Sequence, residues 1–222
     1  MTLRTRLCVP LLLAALVPAL QGCFPVVAGG VTAGVLMASD RRSSGSYVED
    51  EGIEIKAASR ISDQFKDQAH VNVTSYNRKV LLTGEVASEA DRARLEQVVS
   101  GVPNVAGVTN DVQVAGVSSL SARSNDAYIT SKVKARFIDA QRFSVNHVKV
   151  VTEAGAVYLL GLVTDREARS AVEIARTTAG VRKVVNVLEV ISEAQAKEFD
   201  MRQQQDPKKA PAGDGKNYNY AP

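Results

Sequence analysis

The chain has little of what most catalytic or metal sites are built from. Its 222 residues include two cysteines, Cys8 and Cys23, two histidines, His70 and His147, and no tryptophan. Neither histidine has a cysteine or a second histidine at ligand spacing, so the usual metal-binding patterns are absent. No nucleophile stands in a recognisable pattern with a base, and there is no glycine-rich phosphate loop. Asp and Glu are scattered along helix faces, where solvated charge explains them. The expectation is a protein that is not an enzyme, with no catalytic residue, no cofactor and no metal. A strong excess of one charge is missing too: the formal net charge is +3, which gives no reason to expect nucleic acid as a partner. The apolar run from Leu7 to Leu20, interrupted by Pro10 and Pro18, is shorter than the ~20 residues that span a bilayer.

That run instead fits an export signal. Arg4 and Arg6 form a positive start, the apolar stretch follows, and the segment ends Leu20-Gln21-Gly22-Cys23. This ending resembles the lipobox of bacterial lipoproteins. The resemblance implies that residues 1–22 are removed and that Cys23 receives a diacylglycerol. The new amino group would then be acylated, palmitate being a common chain, and several chains anchor firmly where one is marginal. Cys8 would leave with the signal, so no free thiol would remain for disulfides or metal binding. Phe24, rather than Asp, after Cys23 implies the outer membrane by the same resemblance, with the protein on the periplasmic face. The mature 200 residues carry 25 basic and 24 acidic side chains, room for one or two small domains.

The mature chain repeats itself. His70-Val71-Asn72-Val73 recurs as His147-Val148-Lys149-Val150, and Val80-Leu81-Leu82-Thr83-Gly84-Glu85-Val86 as Val157-Tyr158-Leu159-Leu160-Gly161-Leu162-Val163, both at a spacing of 77. Ile53, Lys56 and Arg60 match Ile129, Lys132 and Arg136 at a spacing of 76, as Asn110 matches Asn186. Each copy predicts a helix, two strands, a helix and a strand. Ile53, Ala57, Ile61 and Phe65 form one helical stripe, and Ile129, Val133, Phe137 and Ala140 the other. Hairpin turns are expected near Asn77-Arg78 and Ala154-Gly155. Ser88 and Asp165 are expected to cap the second helices, and Gly101 and Gly180 to end them. Gly84 and Gly161 suit a close approach of backbone within a strand. The two histidines hold equivalent places at the start of each copy's first strand. The fold class is α+β: two tandem modules, each α-β-β-α-β with helices packed on a small sheet.

The phrase from Val157 to Ala168, followed by Ala179-Gly180-Val181-Arg182-Lys183-Val184-Val185-Asn186, resembles a BON domain, as does Val80 to Val86. Two copies behind a lipobox resemble the dual-BON outer-membrane lipoproteins over roughly residues 20 to 192. The organisation expected is a signal over 1–22, a membrane-proximal tether over 23–49, BON domains over 50–116 and 124–192, and a largely disordered tail over 193–222 that begins as a helical extension through Phe199. The linker from Gly116 to Arg123 is short, so the copies should pack against each other.

The copies differ in charge. Residues 50–116 carry 7 basic and 10 acidic side chains, whereas residues 124–192 carry 10 basic and 7 acidic. The second copy therefore suits an anionic partner. In its first helix, Tyr128, Ser131 and Ala135 should point outward, Lys132 and Lys134 flank them, and Arg136 can reach outward from the core boundary. The first copy has Gly52 and Ile55 where the second has Tyr128 and Ser131. The family resemblance implies that this helix binds anionic phospholipid, phosphatidylglycerol or cardiolipin, and supports envelope integrity and division-site remodelling. Tyr128, Ser131, Lys132, Lys134, Ala135 and Arg136 are its expected contacts. An alternative is a scaffold for envelope proteins, either outer-membrane assembly machinery or regulators of wall hydrolases.

Overall fold

A computed structural model of the protein describes residues 40–66 and 69–205. The first module opens with α1 (Ser44–Phe65), whose start is fixed by the Ser43 hydroxyl accepting the Ser46 amide at 3.0 Å. Its stripe Ile53, Ala57, Ile61 and Phe65 is buried. The chain then runs through the antiparallel strands β1 (Ala69–Tyr76) and β2 (Lys79–Val86). Asn77 and Arg78 between them have φ of 50° and 66°, the pair of positive φ angles that a two-residue hairpin matched to strand twist requires. Helix α2 (Glu89–Ser100) crosses back, and β3 (Gly107–Asn110) and β4 (Gln113–Val114) lie parallel to β2.

The second module repeats this path: α3 (Leu120–Ala140), a 3₁₀ turn (Val145–His147), β5 (Lys149–Glu153), β6 (Ala156–Leu160), β7 (Leu162–Val163), α4 (Asp165–Arg176), β8 (Lys183–Asn186) and β9 (Glu189–Val190). Helix α5 (Glu193–Gln205) follows. The α+β class and the tandem order are those the repeat predicts. In each module the helices cover one face of the sheet and close a core of their own. One core joins the α1 stripe to Val80, Leu82, Leu95 and Val99, the other the α3 stripe to Val157, Leu159, Ala171 and Ala175. Burying each valine, leucine, isoleucine or phenylalanine of these cores stabilises by roughly 1.5–3 kcal/mol.

Several local expectations shift. The second module's second helix is capped by Thr164, not Asp165. Glu167 donates its amide to the Thr164 hydroxyl, while its carboxylate accepts the Thr164 amide at 2.8 Å. This reciprocal pair satisfies two orphan donors, which Asp165 inside the helix could not do. That helix ends at Arg176 with Thr177 as cap, so Gly180 serves the following turn at φ 97° rather than the cap. His147 lies in the 3₁₀ turn ahead of β5, whereas His70 is already in β1. Gly84 and Gly161 do what their place implies: a Cβ on either would collide with the carbonyl oxygen of His70 or His147.

Two features were hidden in the repeat. Asp50 and Asp126, buried on α1 and α3, reach the hairpin of their own module. Asp50 accepts the amides of Asn77 and Arg78 at 2.8 and 2.7 Å, and Asp126 those of Ala154 and Gly155 at 2.9 and 2.8 Å. The folded body also begins before residue 50. Arg41 is enclosed and pairs with Glu167 at 2.6 Å and with Asp200 of α5 at 2.9 Å. Arg42 pairs with Asp40 and Asp50 at 2.6 and 2.7 Å and lies 4.0 Å from the Tyr76 ring centroid. Residues 40–43 thus strap the start of α1 to the second module and to α5. That helix runs on to Gln205, with Ala196 and Gln203 buried, so the expected tail is helical well past Phe199.

The modules meet through the uncovered faces of their sheets. Tyr76 and Leu81 of the first pack on Ala156, Tyr158, Leu160 and Leu162 of the second, with Ile191 and Phe199 beside them. Polar ties cross the same seam: Tyr158 Oη donates to Asp111 at 2.9 Å, Lys79 pairs with Glu189 at 2.7 Å, and Lys149 with Glu54 at 3.0 Å.

Candidate functional site

Helix α3 carries all six residues expected to meet lipid. Ser119 caps it by accepting the Ala122 amide at 3.2 Å, which starts the helix at Leu120, well before Ile129, where the apolar stripe begins. Ile129, Val133 and Phe137 are buried and fix which face is outward. Tyr128 is 62% exposed, and Ser131, Lys134, Ala135 and Arg136 are exposed as well, with Lys132 half-buried.

The three cations have different occupations. Lys132 Nζ sits 4.6 Å from the Tyr128 ring centroid, within cation–π range, and donates to the Ala179 carbonyl beyond α4. Arg136 donates to the Ile174 carbonyl at 2.9 Å and to the hydroxyls of Thr177 and Thr178 at 3.0 Å each. Both cations therefore sit at the negative end of α4, where carbonyls lack intrahelical donors. Lys134 makes no hydrogen bond or ion pair with the described residues and stands in solvent. Ser131 Oγ is turned onto the Ala127 carbonyl at 3.0 Å.

Two apolar residues join this face that the sequence pattern did not single out. Leu120 is 75% and Ile138 58% exposed. At about 100° per residue they share one line on the helix, beside Ser131 and Lys134. Their signal was present in the helical wheel, but Leu120 fell before the apparent start of the helix. The outward face thus has a tyrosine and an alanine along its middle. On one side lie the half-committed cations Lys132 and Arg136, on the other Lys134 between Leu120 and Ile138. Asp139, also exposed, is the acidic group nearest the midline. No described helix is long and apolar enough to cross a membrane. Among the described residues no group of three or more His, Cys, Asp or Glu could hold a metal ion. Cys23 lies outside the described residues.

Buried charge elsewhere serves the fold. Burial alone would raise the Glu167 pKa, but the imidazole of His147 3.6 Å away and hydrogen bonds from Arg41 and the Thr164 amide hold it well below the carboxylate range. Asp50 behaves alike: burial opposes its charge, and donors from Ser75, Arg78, Arg42 and Asn77 outweigh that and lower its pKa.

Comparison with known proteins agrees with this architecture. The family model described as BON domain matches residues 49–116 and 125–192. The chain is 34% identical over 174 residues to the outer membrane lipoprotein DolP of Haemophilus influenzae, covering 78% of this chain and 90% of that protein. It is 32% identical to a 21 kDa hemolysin of Actinobacillus pleuropneumoniae, covering 68% of this chain and 79% of that one. The osmotically-inducible protein Y of Escherichia coli is also 32% identical, over 71% of this chain and 80% of its own length. With two matched modules and this extent of likeness, the chain belongs to the BON-domain family, as a dual-BON protein of the DolP-like outer-membrane lipoprotein kind.

Proposed function

We propose that the protein is anchored to the periplasmic face of the outer membrane through acylated Cys23 and reads anionic phospholipid with the outward face of α3. In this role it supports envelope integrity and remodelling at division sites. The observation that supports the lipid reading is the exposed Tyr128, stacked against Lys132, on a face that also presents Lys134, Leu120 and Ile138. Aromatic and aliphatic side chains settle at the headgroup boundary, while ammonium groups meet phosphate. Each cation near an anionic surface contributes roughly 1 kcal/mol.

The test is vesicle binding by the mature chain carrying Cys23→Ser, so that no acyl anchor masks the contact. Phosphatidylglycerol and cardiolipin vesicles should bind, purely zwitterionic ones should not, and salt should weaken binding. Tyr128→Ala and Lys134→Glu are the informative variants. Lys132 and Arg136 also cap α4, so their loss mixes stability with binding. Charge reversal at Lys134 should weaken binding at least about fivefold, the equivalent of roughly 1 kcal/mol. Equal binding to both vesicle types, or none to either, would sink the lipid reading and move the search to protein partners.

A further inference from the structure

The seam between the modules changes character along its length. At one end Tyr76, Leu81, Leu160 and Leu162 are buried in one apolar cluster. At the other, Glu153 of β5 is 6% exposed and accepts from the first module alone: Asn72 Nδ2 at 2.8 Å and Thr83 Oγ1 at 3.4 Å. Both donors are neutral, and among the described residues no cation forms an ion pair with it. Opposite lies Glu85 of β2, equally buried, whose Oε2 has no hydrogen-bond partner. His70 of β1, paired in register with Glu85, has an unpartnered Nε2. A cavity of about 360 Å³ opens here between the modules, lined by His70 and Asn72 from the first and by Arg123, Asp126, Thr152 and Glu153 from the second. A carboxylate withdrawn from water and held by neutral donors beside other carboxylates is unfavourable in its charged form.

We propose that this end of the seam is a proton-dependent latch, in which Glu153 takes up a proton and the two BON modules grip each other more firmly in acid and less firmly as pH rises. The groups that face Glu153 are His70 on β1, Glu85 on β2, and Arg123 and Asp126 on α3. Burial pushes the Glu153 carboxyl above its ordinary value of 4.5, Glu85 and Asp126 push the same way, and the Asn72 hydrogen bond and His70 oppose them. The sign follows from that upward shift. Above the closed-state value the ionised carboxylate weakens the seam. As pH falls through that value the proton binds and the penalty disappears. The gain is complete near 4.5, where a carboxyl freed into water would be protonated as well. The added O–H also brings a donor into surroundings that hold the unsatisfied Glu85 oxygen.

The latch is tested on the mature Cys23→Ser chain with spin labels at Gln97→Cys on α2 and Arg169→Cys on α4, both exposed. Distances are read from pH 4.5 to beyond neutrality, in urea sufficient to bring seam opening into the measurable range. The open fraction relative to closed should rise with pH by up to about tenfold per unit within the window. Glu153→Gln, which keeps an acceptor for Asn72 and carries no charge, should stay closed throughout. Glu85→Gln removes a like charge and should move the transition toward acid, which supplies a second reading if Glu153→Gln folds poorly. His70→Gln should leave a transition in place. A distance distribution indifferent to pH overturns the proposal. So does a transition that survives in Glu153→Gln, or one that vanishes only in His70→Gln, since the proton would then reside on the imidazole.

Discussion

The two modules are copies, and the positions at which they agree differ in kind from those at which they diverge. Asp50 and Asp126 each hold the hairpin turn of their own module. Gly84 and Gly161 each make room for a histidine carbonyl. Arg60 donates to the Gly101 carbonyl at 2.7 Å at the end of α2, as Arg136 does at the end of α4. These shared residues perform structural work that any module of this shape requires. On the outward face of the first helix the copies part. Gly52, Ile55, Ala58 and Ser59 stand in α1 where Tyr128, Ser131, Lys134 and Ala135 stand in α3. A side chain with a role in both copies belongs to the fold, and one found only in the second copy is free to serve a partner. By this measure Tyr128 and Lys134 are the specific elements of the proposed lipid surface. Lys132 and Arg136, matched by Lys56 and Arg60, hold the module together first.

The largest expected effect breaks the symmetry at the strap, which touches each module differently. Arg41→Ala leaves Glu167 and Asp200 without their shared cation, with His147 3.6 and 3.8 Å from the two carboxylates and the Thr164 amide still bonded to Glu167. Removing one partner of an enclosed pair costs about 3–5 kcal/mol. Chemical denaturation should show that loss, and hydrogen exchange should show α5 losing protection ahead of the first module. If α1 and α5 lose protection together, the strap acts as one cooperative unit and the asymmetry is wrong.

Next in size are the buried aspartates. Asp50→Ala should cost more than Asp126→Ala, because Asp50 also accepts from Ser75 at 2.6 Å and pairs with Arg42. Asp126 has the two turn amides alone among the bonds that cross to its hairpin. Each unsatisfied buried donor costs about 1–3 kcal/mol. The pH dependence sharpens the comparison. The Asp50 carboxyl is held below its ordinary value of 3.8, so its contribution is complete above that value and is lost as pH falls toward the folded one. In Asp50→Asn the acid limb of the stability profile should flatten. An unchanged acid limb would place the titrating group elsewhere, with Glu167 the first alternative.

How much of this was readable in the sequence follows the same division. Apolar periodicity set the core stripes because burial acts on every third or fourth residue and leaves a repeating mark. The hairpins were visible because Asn77-Arg78 and Ala154-Gly155 interrupt runs of strand formers. The buried aspartates were not, although they stand at the same 76-residue spacing as their neighbours. A single Asp on a helix looks like solvated charge until the turn it holds is brought to it. The strap was misjudged for a related reason. Arg41, Arg42 and the serines after them have the composition of a tether, and the partners of Arg41, Glu167 and Asp200, are 126 and 159 residues away. On α3 the sequence pattern identified an outward Tyr128 correctly. It could not show that Lys132 and Arg136 turn toward α4, because that depends on where α4 ends, and Gly180 suggested a place four residues too late.

The smallest effect compares the two helix caps. Ser88 satisfies one orphan donor by accepting the Asp91 amide at 3.1 Å. Thr164 and Glu167 satisfy two, each from the other's side chain. A single cap is worth about 1 kcal/mol, so Ser88→Ala should lower stability by roughly that amount. Thr164→Ala removes the hydroxyl that accepts the Glu167 amide but keeps the residue-164 amide that bonds the Glu167 carboxylate. It should therefore cost about as much as Ser88→Ala unless the freed Glu167 backbone also disturbs the pair with Arg41. The way to separate the cap from the strap is a double-mutant cycle of Thr164→Ala with Arg41→Ala, because only coupled residues give a non-additive result. Additive losses would make the cap local, equivalent to Ser88 in the first module. A coupling of about 0.5 kcal/mol or more would show that the second module's cap has been drawn into the strap, a connection the first copy's Ser88 and Asp91 do not make.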